Sequence, residues 1–219
     1  MSISQQQLPP AMARRLVETC RQAAGRGLMR CSSGNLSMRV DAERLLIKTS
    51  RSWMERMTPR DVALCRIADG TLLAGRKPSV EIGFHAGVMR QRPDVNVVMH
   101  FQTPCATALA CQGRRRLNYF VTPEIPFYIG PIARIPYRTP GSKALADAVM
   151  GALRDHDMVV LTNHGLVTVA SDADHAIQNA VFFELACEII LRSAGRAVPI
   201  PADAVNELIE MRRTARAGV

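Results

Sequence analysis

The segment KPSVEIGFHAGVMRQRPDVNVVMH, residues 77–100, decides the fold because it joins a predicted helix to a predicted buried strand. Ser79 follows Pro78 and is a favourable N-cap for a helix of about a dozen residues that ends before Pro93. VNVVM, residues 95–99, is typical of a buried strand and runs directly into His100. Glu81 falls in the first turn of the predicted helix, so the segment carries a carboxylate and an imidazole at element ends.

Helix and strand patterns continue on both sides of this segment. Upstream, helical spacing over residues 11–29 precedes strands at 36–40, 44–49 and 62–67, and Asp69-Gly70 predicts a hairpin turn into 71–75. Downstream, we expect a short helix, a helix capped by Ser142, strands at 158–162 and 166–170, and two further helices. Within the proline-rich segment 114–139, FYIG and ARIPY could form edge strands. Without a linker or repeat, residues 1–219 are predicted to form one domain.

The composition is that of a globular protein rather than a disordered one, with 47% hydrophobic and 21% charged residues. No apolar run reaches the roughly 18 residues of a membrane-spanning helix, so no membrane partner is expected. The six cysteines are scattered without a C-x-x-C pair, which predicts buried free thiols. We therefore expect a cytoplasmic protein.

The net charge of +9 comes almost entirely from arginine and indicates an anionic partner. Nucleic acid, anionic lipid and a small anion all satisfy the charge alone. The basic run Arg114-Arg115-Arg116 has no interleaved aromatic residues and belongs to no known nucleic-acid motif. A solvated face or a subunit contact is the favoured interpretation of this run, and a small anionic substrate is the expected partner.

Two histidines lie where predicted strands end, His100 after VNVVM and His164 within TNHGL. Side chains from different elements converge at strand ends, and two imidazoles with a carboxylate make a divalent-metal site. Glu81 would be that carboxylate, or a catalytic base. The alternative interpretation is that each histidine is a hydrogen-bonded structural residue and that Glu81 only favours the positive end of the helix dipole.

Five motifs occur in order along the chain: SSGNLSMR (32–39), IKTSRSWMERMTPRDV (47–62), the segment 77–100, TPEIPFYIGPIARIPYRTPGSKALAD (122–147) and TNHGLVTV (162–169). Through these motifs the chain resembles the class II aldolase/adducin superfamily, over residues 14–193. The resemblance implies an α/β fold, a three-layer α/β/α sandwich around a predominantly antiparallel central sheet. It also implies a homotetramer with active sites at the subunit interfaces.

The resemblance implies a role for each matching residue. Glu81 matches the carboxylate that removes or returns a proton beside the substrate carbonyl, and His100 and His164 match two of three histidine ligands of Zn²⁺. The phosphate-binding residues would be Gly34, Asn35, Thr49, Ser50 and Ser79. Turns and helix N-termini present backbone N–H groups and hydroxyls to anions, which is an independent reason for that assignment. A plain turn that requires a positive φ explains Gly34-Asn35 equally well.

Three positions depart from the family pattern. Gln102 replaces the second histidine of His-x-His, which predicts a weaker zinc site, a harder ion such as Mn²⁺ or Mg²⁺, a water ligand, or no metal. The turn glycine is missing from Thr49-Ser50-Arg51-Ser52, and Arg51, beside its place, could bind phosphate or carboxylate directly or be a solvated surface charge. Val80 replaces a serine and removes one hydroxyl.

The second acid/base group is expected near residues 119–128. Glu124 is the candidate, with Tyr119 and Tyr128 as alternatives, and a solvated loop charge is the other interpretation of Glu124.

The resulting functional hypothesis is a metal-dependent lyase that cleaves a small, phosphorylated hydroxy-carbonyl compound through an enediolate. Dehydration, epimerisation or decarboxylation by a related enzyme are the alternatives within this class. A non-catalytic, adducin-like binding domain is the alternative outside it.

Overall fold

The structure is a computed structural model that describes residues 7–113 and 117–217, so the prediction for Arg114–Arg116 lies outside the described residues. Six helices have the bounds α1 Pro10–Gly25, α2 Ile82–Gln91, α3 Pro104–Ala110, α4 Lys143–Ala152, α5 Ala173–Arg192 and α6 Ala202–Ala217. Eight strands have the bounds β1 Asn35–Arg39, β2 Arg44–Lys48, β3 Val62–Arg66, β4 Leu72–Gly75, β5 Val97–Phe101, β6 Ile132–Ile135, β7 Met158–Leu161 and β8 Gly165–Ala170. The predicted mixture of helices and strands is confirmed.

The strands form one sheet in the order β4-β3-β2-β1-β5-β8-β7-β6. β6 and β7 pair in parallel, and the other neighbouring pairs of described strands are antiparallel. β1, β5 and β8 therefore lie side by side near the middle of the sheet. This order brings together segments that are more than 60 residues apart in the chain.

Helices cover both faces of the sheet. Side chains alternate between the two faces along each strand, so one strand contributes apolar residues to both layers. On β5, Val97, Met99 and Phe101 belong to the apolar core that includes α1, α3 and α5. Val98 points the other way, into the core formed with α2 and α4. Buried packing on both faces explains why VNVVM has no strict polar alternation.

The helix that follows Ser79 begins later than predicted. Ser79 donates its backbone N–H to the Lys48 carbonyl at 3.0 Å, and Thr49 bridges to Pro78. These contacts hold residues 77–79 extended beside residues 48–50, so α2 starts only at Ile82. Glu81 consequently precedes the helix instead of lying in its first turn, and Ser79 is not the N-cap.

FYIG is not an edge strand. Residues Ile125–Ile129 form a π-helical turn, closed by a 2.8 Å bond from the Gly130 N–H to the Ile125 carbonyl. This turn packs against α5 and α6, and the packing replaces strand pairing. ARIPY does contribute to β6 at the sheet edge.

Among the described residues, no helix combines the length and apolar character needed to cross a membrane. All six cysteines are free thiols, as predicted, but Cys31 and Cys111 are exposed and Cys105 is only partly buried, so the expectation of buried thiols is wrong for these three.

Candidate metal centre and active site

Glu81, His100 and His164 form one cluster whose potential ligand atoms all lie within 4.8 Å of one another. The Nε2 atom of His100 is 3.8 Å from Glu81 Oε2, and Nε2 of His164 is 3.6 Å from Glu81 Oε1. Glu81 and His100 are buried, and the two imidazole rings meet edge to face with centroids 4.7 Å apart. The structure thus brings together the three residues that the strand-end pattern singled out.

Strand pairing and one close backbone approach position the two imidazoles. β5 pairs with β8, which places His100 opposite Val167, and His164 lies in the turn just before β8. A Cβ at Gly165 would come within 2.7 Å of the Phe101 carbonyl oxygen. Glycine at this position therefore lets the His164 turn approach the end of β5.

His100 presents an unprotonated Nε2 to the cluster when its ring is neutral. Its Nδ1 lies 2.9 Å from the Leu166 carbonyl oxygen, and a carbonyl can only accept a hydrogen bond. The Nδ1 must therefore carry the proton, which leaves the Nε2 lone pair directed at Glu81. Metal-binding histidines are commonly oriented in this way by a carbonyl acceptor.

Asn35 orients the Glu81 carboxylate. The Asn35 side-chain amide donates to Glu81 Oε2 at 2.8 Å, and Asn35 itself is opposite His100 in the β1–β5 register. Burial by itself would raise the pKa of Glu81, but His100 and the Asn35 hydrogen bond, followed by His164, hold that pKa below its ordinary value. Glu81 is therefore a carboxylate that can accept a proton or bind a cation.

His85 is a buried member of the site that sequence reasoning missed. Its Nε2 lies 2.5 Å from Asn35 Oδ1, and its Nδ1 lies 2.7 Å from Ser37 Oγ. Since the amide oxygen only accepts, Nε2 donates to Asn35 and Nδ1 accepts from the Ser37 hydroxyl. Burial lowers the pKa of His85 to about 3, so this imidazole is neutral at physiological pH.

A spacing signal for His85 was present in the sequence. It follows Glu81 by four residues, the separation that places side chains on the same face of a helix. Glu81 lies one residue before α2, and its side chain is linked to His85 through Asn35, which hydrogen-bonds to both.

Two buried polar atoms of the cluster have no hydrogen-bond partner, Glu81 Oε1 and His164 Nδ1. Burial lowers the pKa of His164 to about 4, the effect of His100 adds to this, and Glu81 opposes it. The buried Glu81 carboxylate therefore keeps one oxygen, Oε1, that no hydrogen-bond donor satisfies. A divalent cation satisfies this donor set, so Glu81, His100 and His164 fit a metal ion.

Gln102 contacts the cluster through the backbone carbonyl of His164. The Gln102 side-chain amide donates to the His164 carbonyl at 2.6 Å, and its Cγ lies against the backbone of Gly165. This bond ties the end of β5 to the His164 turn. In the structure Gln102 therefore supports the position of His164.

The predicted phosphate-binding segments also meet beside Glu81. Ser50 donates its N–H to the Lys77 carbonyl at 3.0 Å, and the Glu81 N–H approaches Ser79 Oγ at 3.4 Å. Gly34 has a φ of 68°, and a Cβ there would come within 2.7 Å of the His100 carbonyl oxygen. Gly34 is thus required both by its left-handed backbone and by its contact with the strand of His100.

Lys48 is a second buried residue that sequence reasoning did not assign to the site. Its Nζ donates to the Ser32 and Gly34 carbonyls at 2.8 and 3.2 Å. Burial lowers the pKa of Lys48, whereas nearby Cys20 and Glu81 raise it. The ammonium group holds the 32–34 turn against β2.

Comparison with known proteins decides the family. Residues 14–191 match the family model described as Class II Aldolase and Adducin N-terminal domain. The chain belongs to the class II aldolase and adducin family. This confirms the resemblance drawn from the five motifs.

Characterised relatives include two kinds of enzyme. The chain is 28% identical to the 3-oxo-tetronate 4-phosphate decarboxylase of Haemophilus influenzae over 200 residues, which cover 90% of this chain and 95% of the relative. It is 31% identical to the 5-methylthioribulose-1-phosphate/5-deoxyribulose-1-phosphate aldolase of Rhodospirillum rubrum over 209 residues, 93% of this chain and 92% of the relative. The crystal structure of YgbL from Escherichia coli superposes with a TM-score of 0.85 at 25% identity, covering 91% of this chain and 98% of that one.

One departure from the class II aldolase pattern is sharper in the structure than in the sequence. The left-handed residue of the Thr49–Ser52 turn is Arg51, with a φ of 65°. The prediction placed the cation beside the glycine position, whereas Arg51 itself adopts the backbone conformation that favours glycine. Val80, the other substituted position in this region, is exposed and contacts Gly141.

The described structure does not join the expected second acid/base group to the cluster. Glu124 precedes the π-helical turn 125–129, which packs on α5 and α6. Tyr128 is half-exposed and stacks near Phe182, and Tyr119 is buried against Phe183. Burial raises the pKa of Tyr119 to about 12. Among described residues, none of the three makes a hydrogen bond or ion pair with Glu81, His100 or His164.

Proposed function

We propose that this protein is a metal-dependent lyase that breaks a carbon–carbon bond of a small, phosphorylated hydroxy-carbonyl compound, with aldol cleavage as the reaction. The observation that carries the proposal is the buried Glu81 carboxylate between the neutral His164 and the lone pair of His100. A binding module has no need for an ionised carboxylate and two oriented imidazoles in one buried place. The adducin-like binding alternative is therefore not favoured.

The proposed metal ligands are His100, His164 and Glu81, with Gln102 in or next to the ligand set. Zn²⁺ is proposed because two ligands are imidazoles, and Mn²⁺ or Mg²⁺ would be favoured if the Gln102 amide oxygen completes the site. A bound divalent ion would polarise the substrate carbonyl and stabilise negative charge on its oxygen.

Glu81 is proposed to carry the proton at the substrate carbon next to the carbonyl. In bond formation its carboxylate removes that proton, and in cleavage it returns a proton to the same carbon of the enediolate. Asn35, held by His85, keeps the second carboxylate oxygen in place during this transfer.

The hydroxyl proton released on cleavage requires a second group, for which we propose Glu124. Glu124 makes no described contact with its own cluster, so this role needs a site shared between subunits. We propose a homotetramer with interfacial active sites for this reason. A single domain over residues 1–219 is supported by the one continuous sheet, and a cytoplasmic location by the free cysteines.

The substrate phosphate is proposed to lie on Gly34, Asn35, Thr49, Ser50 and Ser79, whose segments are hydrogen-bonded to one another. The hydroxyl groups of Ser50 and Ser79 can donate to an anion, whereas the backbone N–H groups of Thr49, Ser50 and Ser79 already donate to main-chain carbonyls. We propose no nucleic-acid or membrane partner.

Decarboxylation is the second candidate reaction because one relative is a 3-oxo-tetronate 4-phosphate decarboxylase. Loss of CO₂ from a β-keto acid with a hydroxyl on its α-carbon leaves the same kind of enediolate as aldol cleavage, so the same residues would serve. Assays with 5-methylthioribulose 1-phosphate and with 3-oxo-tetronate 4-phosphate separate the two reactions, since one releases an aldehyde and the other CO₂.

The decisive test of the proposal is Glu81→Gln. We expect kcat to fall about 10²–10⁴-fold, the usual contribution of a positioned acid/base group. Glu207→Gln, an exposed carboxylate on α6, is the matched control and should leave kcat unchanged. Wild-type levels of aldehyde or CO₂ release by Glu81→Gln would refute the role of Glu81.

Metal analysis of the purified protein, with titration of Zn²⁺, Mn²⁺ and Mg²⁺, tests the metal. Strongly substoichiometric metal together with no tight site on titration would eliminate the metalloenzyme proposal. Gln102→His should tighten binding if residue 102 is a ligand, and unchanged affinity would place Gln102 outside the ligand set.

A further inference from the structure

A cationic cavity of about 320 Å³ lies beside the Thr49–Ser52 turn. Its lining includes Arg51, Arg56, Arg76 and the exposed Trp53. Asp61 is the acidic residue among the lining residues, and it lies 3.4 Å from an Arg76 guanidinium nitrogen. Three guanidinium groups against one carboxylate leave the cavity with a net positive charge.

Two of the three arginines have no acidic partner. Within residues 7–113 and 117–217, Arg51 and Arg56 take part in no ion pair, whereas Arg76 pairs with Asp61. Guanidinium groups that line one cavity repel one another unless an anion lies between them. The cavity is therefore arranged to receive negative charge.

Arg56 is held in an orientation that leaves its hydrogen-bond donors free. Its guanidinium carbon lies 4.1 Å from the centroid of the Trp53 ring. Stacking on an aromatic ring uses the flat face of a guanidinium group and leaves its N–H donors available in the plane. Those donors match the oxygen atoms of a phosphate or carboxylate.

The cavity adjoins the candidate active site. Ser50, which also lines it, donates its N–H to the Lys77 carbonyl, and Lys77 precedes Glu81 by four residues. Four residues of extended chain span at most about 14 Å. A substrate that contacts both the cavity and Glu81 must bridge a distance of at most this order.

We propose that Arg51, Arg56 and Arg76 bind an anionic group of the substrate by their side chains and so select substrates with a phosphate or carboxylate at that end. This inference rests on the proposed function, because it assigns the anion to the same substrate. It adds guanidinium recognition to the hydroxyl contacts of the neighbouring turns. Arg51 accepts a left-handed backbone at the point where its side chain enters the cavity.

The first test is calorimetric titration with inorganic phosphate at constant ionic strength. We expect Arg51→Gly, Arg56→Gln and Arg76→Gln each to weaken phosphate binding about tenfold, since each removes charge-assisted hydrogen bonds. Arg60→Gln is the matched control: it removes the same charge from the same segment, but Arg60 does not line the cavity. Equal weakening in Arg60→Gln, or unchanged binding in all three cavity variants, overturns the proposal.

The second test separates a substrate group from a free anion. With a phosphorylated substrate, the cavity variants should raise KM about tenfold with little change in kcat, and with the unphosphorylated analogue they should leave KM unchanged. Loss of phosphate binding without any change in KM would show a free-anion site and overturn the substrate assignment. If the wild-type protein has no lyase activity, the proposed function fails, while the phosphate titration still tests the cavity. Melting temperatures of the variants show whether each is folded.

Discussion

At the scale of single residues, the site depends on a chain of hydrogen bonds in which each partner determines the role of the next. Ser37 donates to His85, His85 donates to Asn35, and Asn35 donates to Glu81. The direction is unambiguous because amide oxygens and carboxylates accept while the amide NH₂ donates. Glu81 is thereby kept from rotating toward other donors.

This chain predicts a catalytic effect of a residue that touches no substrate. His85→Leu removes the donor to Asn35, and we expect kcat to fall about 10–100-fold with KM nearly unchanged, as for partners that orient metal-site residues. Steady-state kinetics on the folded protein measures this. His85→Gln, whose side-chain NH₂ can still donate to Asn35, should recover part of the rate. A lower melting temperature with unchanged kcat would mean that His85 is structural only.

At the scale of elements, the turn between β7 and β8 is the feature that completes the cluster. It carries His164, has a left-handed residue at Asn163 with a φ of 56°, and packs directly on the end of β5. Gln102 ties the two together through the His164 carbonyl. The separation of His100 and His164 is therefore controlled by the space available at Gly165.

Gly165→Ala should push this turn away from β5. Its Cβ would lie 2.7 Å from the Phe101 carbonyl oxygen, and backbone cannot move aside at small cost. We expect a loss of about 1–3 kcal/mol in the free energy of unfolding and about tenfold weaker metal binding. Chemical denaturation and metal titration measure the two effects.

Gly151→Ala on α4 is the control for the same chemical change. No heavy atom lies within 4 Å of a Cβ at this position, so alanine should stabilise the protein by about 0.5–1 kcal/mol without altering metal affinity. Similar losses in both variants would show that close packing at Gly165 is not the cause.

At the scale of the whole molecule, burial of neutral histidines makes stability depend on pH. The pKa values of His85 and His164 are about 3 and about 4, mainly because of burial. In the unfolded chain both groups take up protons below about pH 6.5. The unfolded state then binds more protons than the folded state, so the free energy of unfolding decreases as the pH falls from about 6.5 toward 4.

The expected slope is up to about 1.4 kcal/mol per pH unit for each histidine. Urea denaturation of the metal-free protein at pH 7, 6 and 5 measures it above the range in which most carboxylates titrate. His85→Leu should remove about half of the slope. A free energy of unfolding that stays constant between pH 7 and pH 5 would contradict the buried, neutral state of these histidines.

Local patterns in the chain were sufficient for most elements and for the chemistry of the central cluster. Alternation and helical spacing located all of β1 to β8, and they wrongly added a strand at FYIG. Glu81, His100 and His164 were identified as polar residues at the ends of predicted elements. The predicted start of α2 was wrong because residues 77–79 pair in extended form with residues 48–50. Local sequence patterns do not report such a contact between distant segments. The predicted strand at FYIG was wrong because packing on α5 and α6 overrides the strand propensity of this segment.

What required the tertiary structure was every relation between distant residues. The β5–β8 pairing joins His100 to the His164 turn, β1 places Asn35 between His85 and Glu81, and the 49–52 turn gathers Arg51, Arg56 and Arg76 around one cavity. Periodicity shows on which side of a helix or strand a residue lies. It carries no information about which other element packs against that side. Strand order and register settle that question, because they depend on burying both faces of the sheet at once.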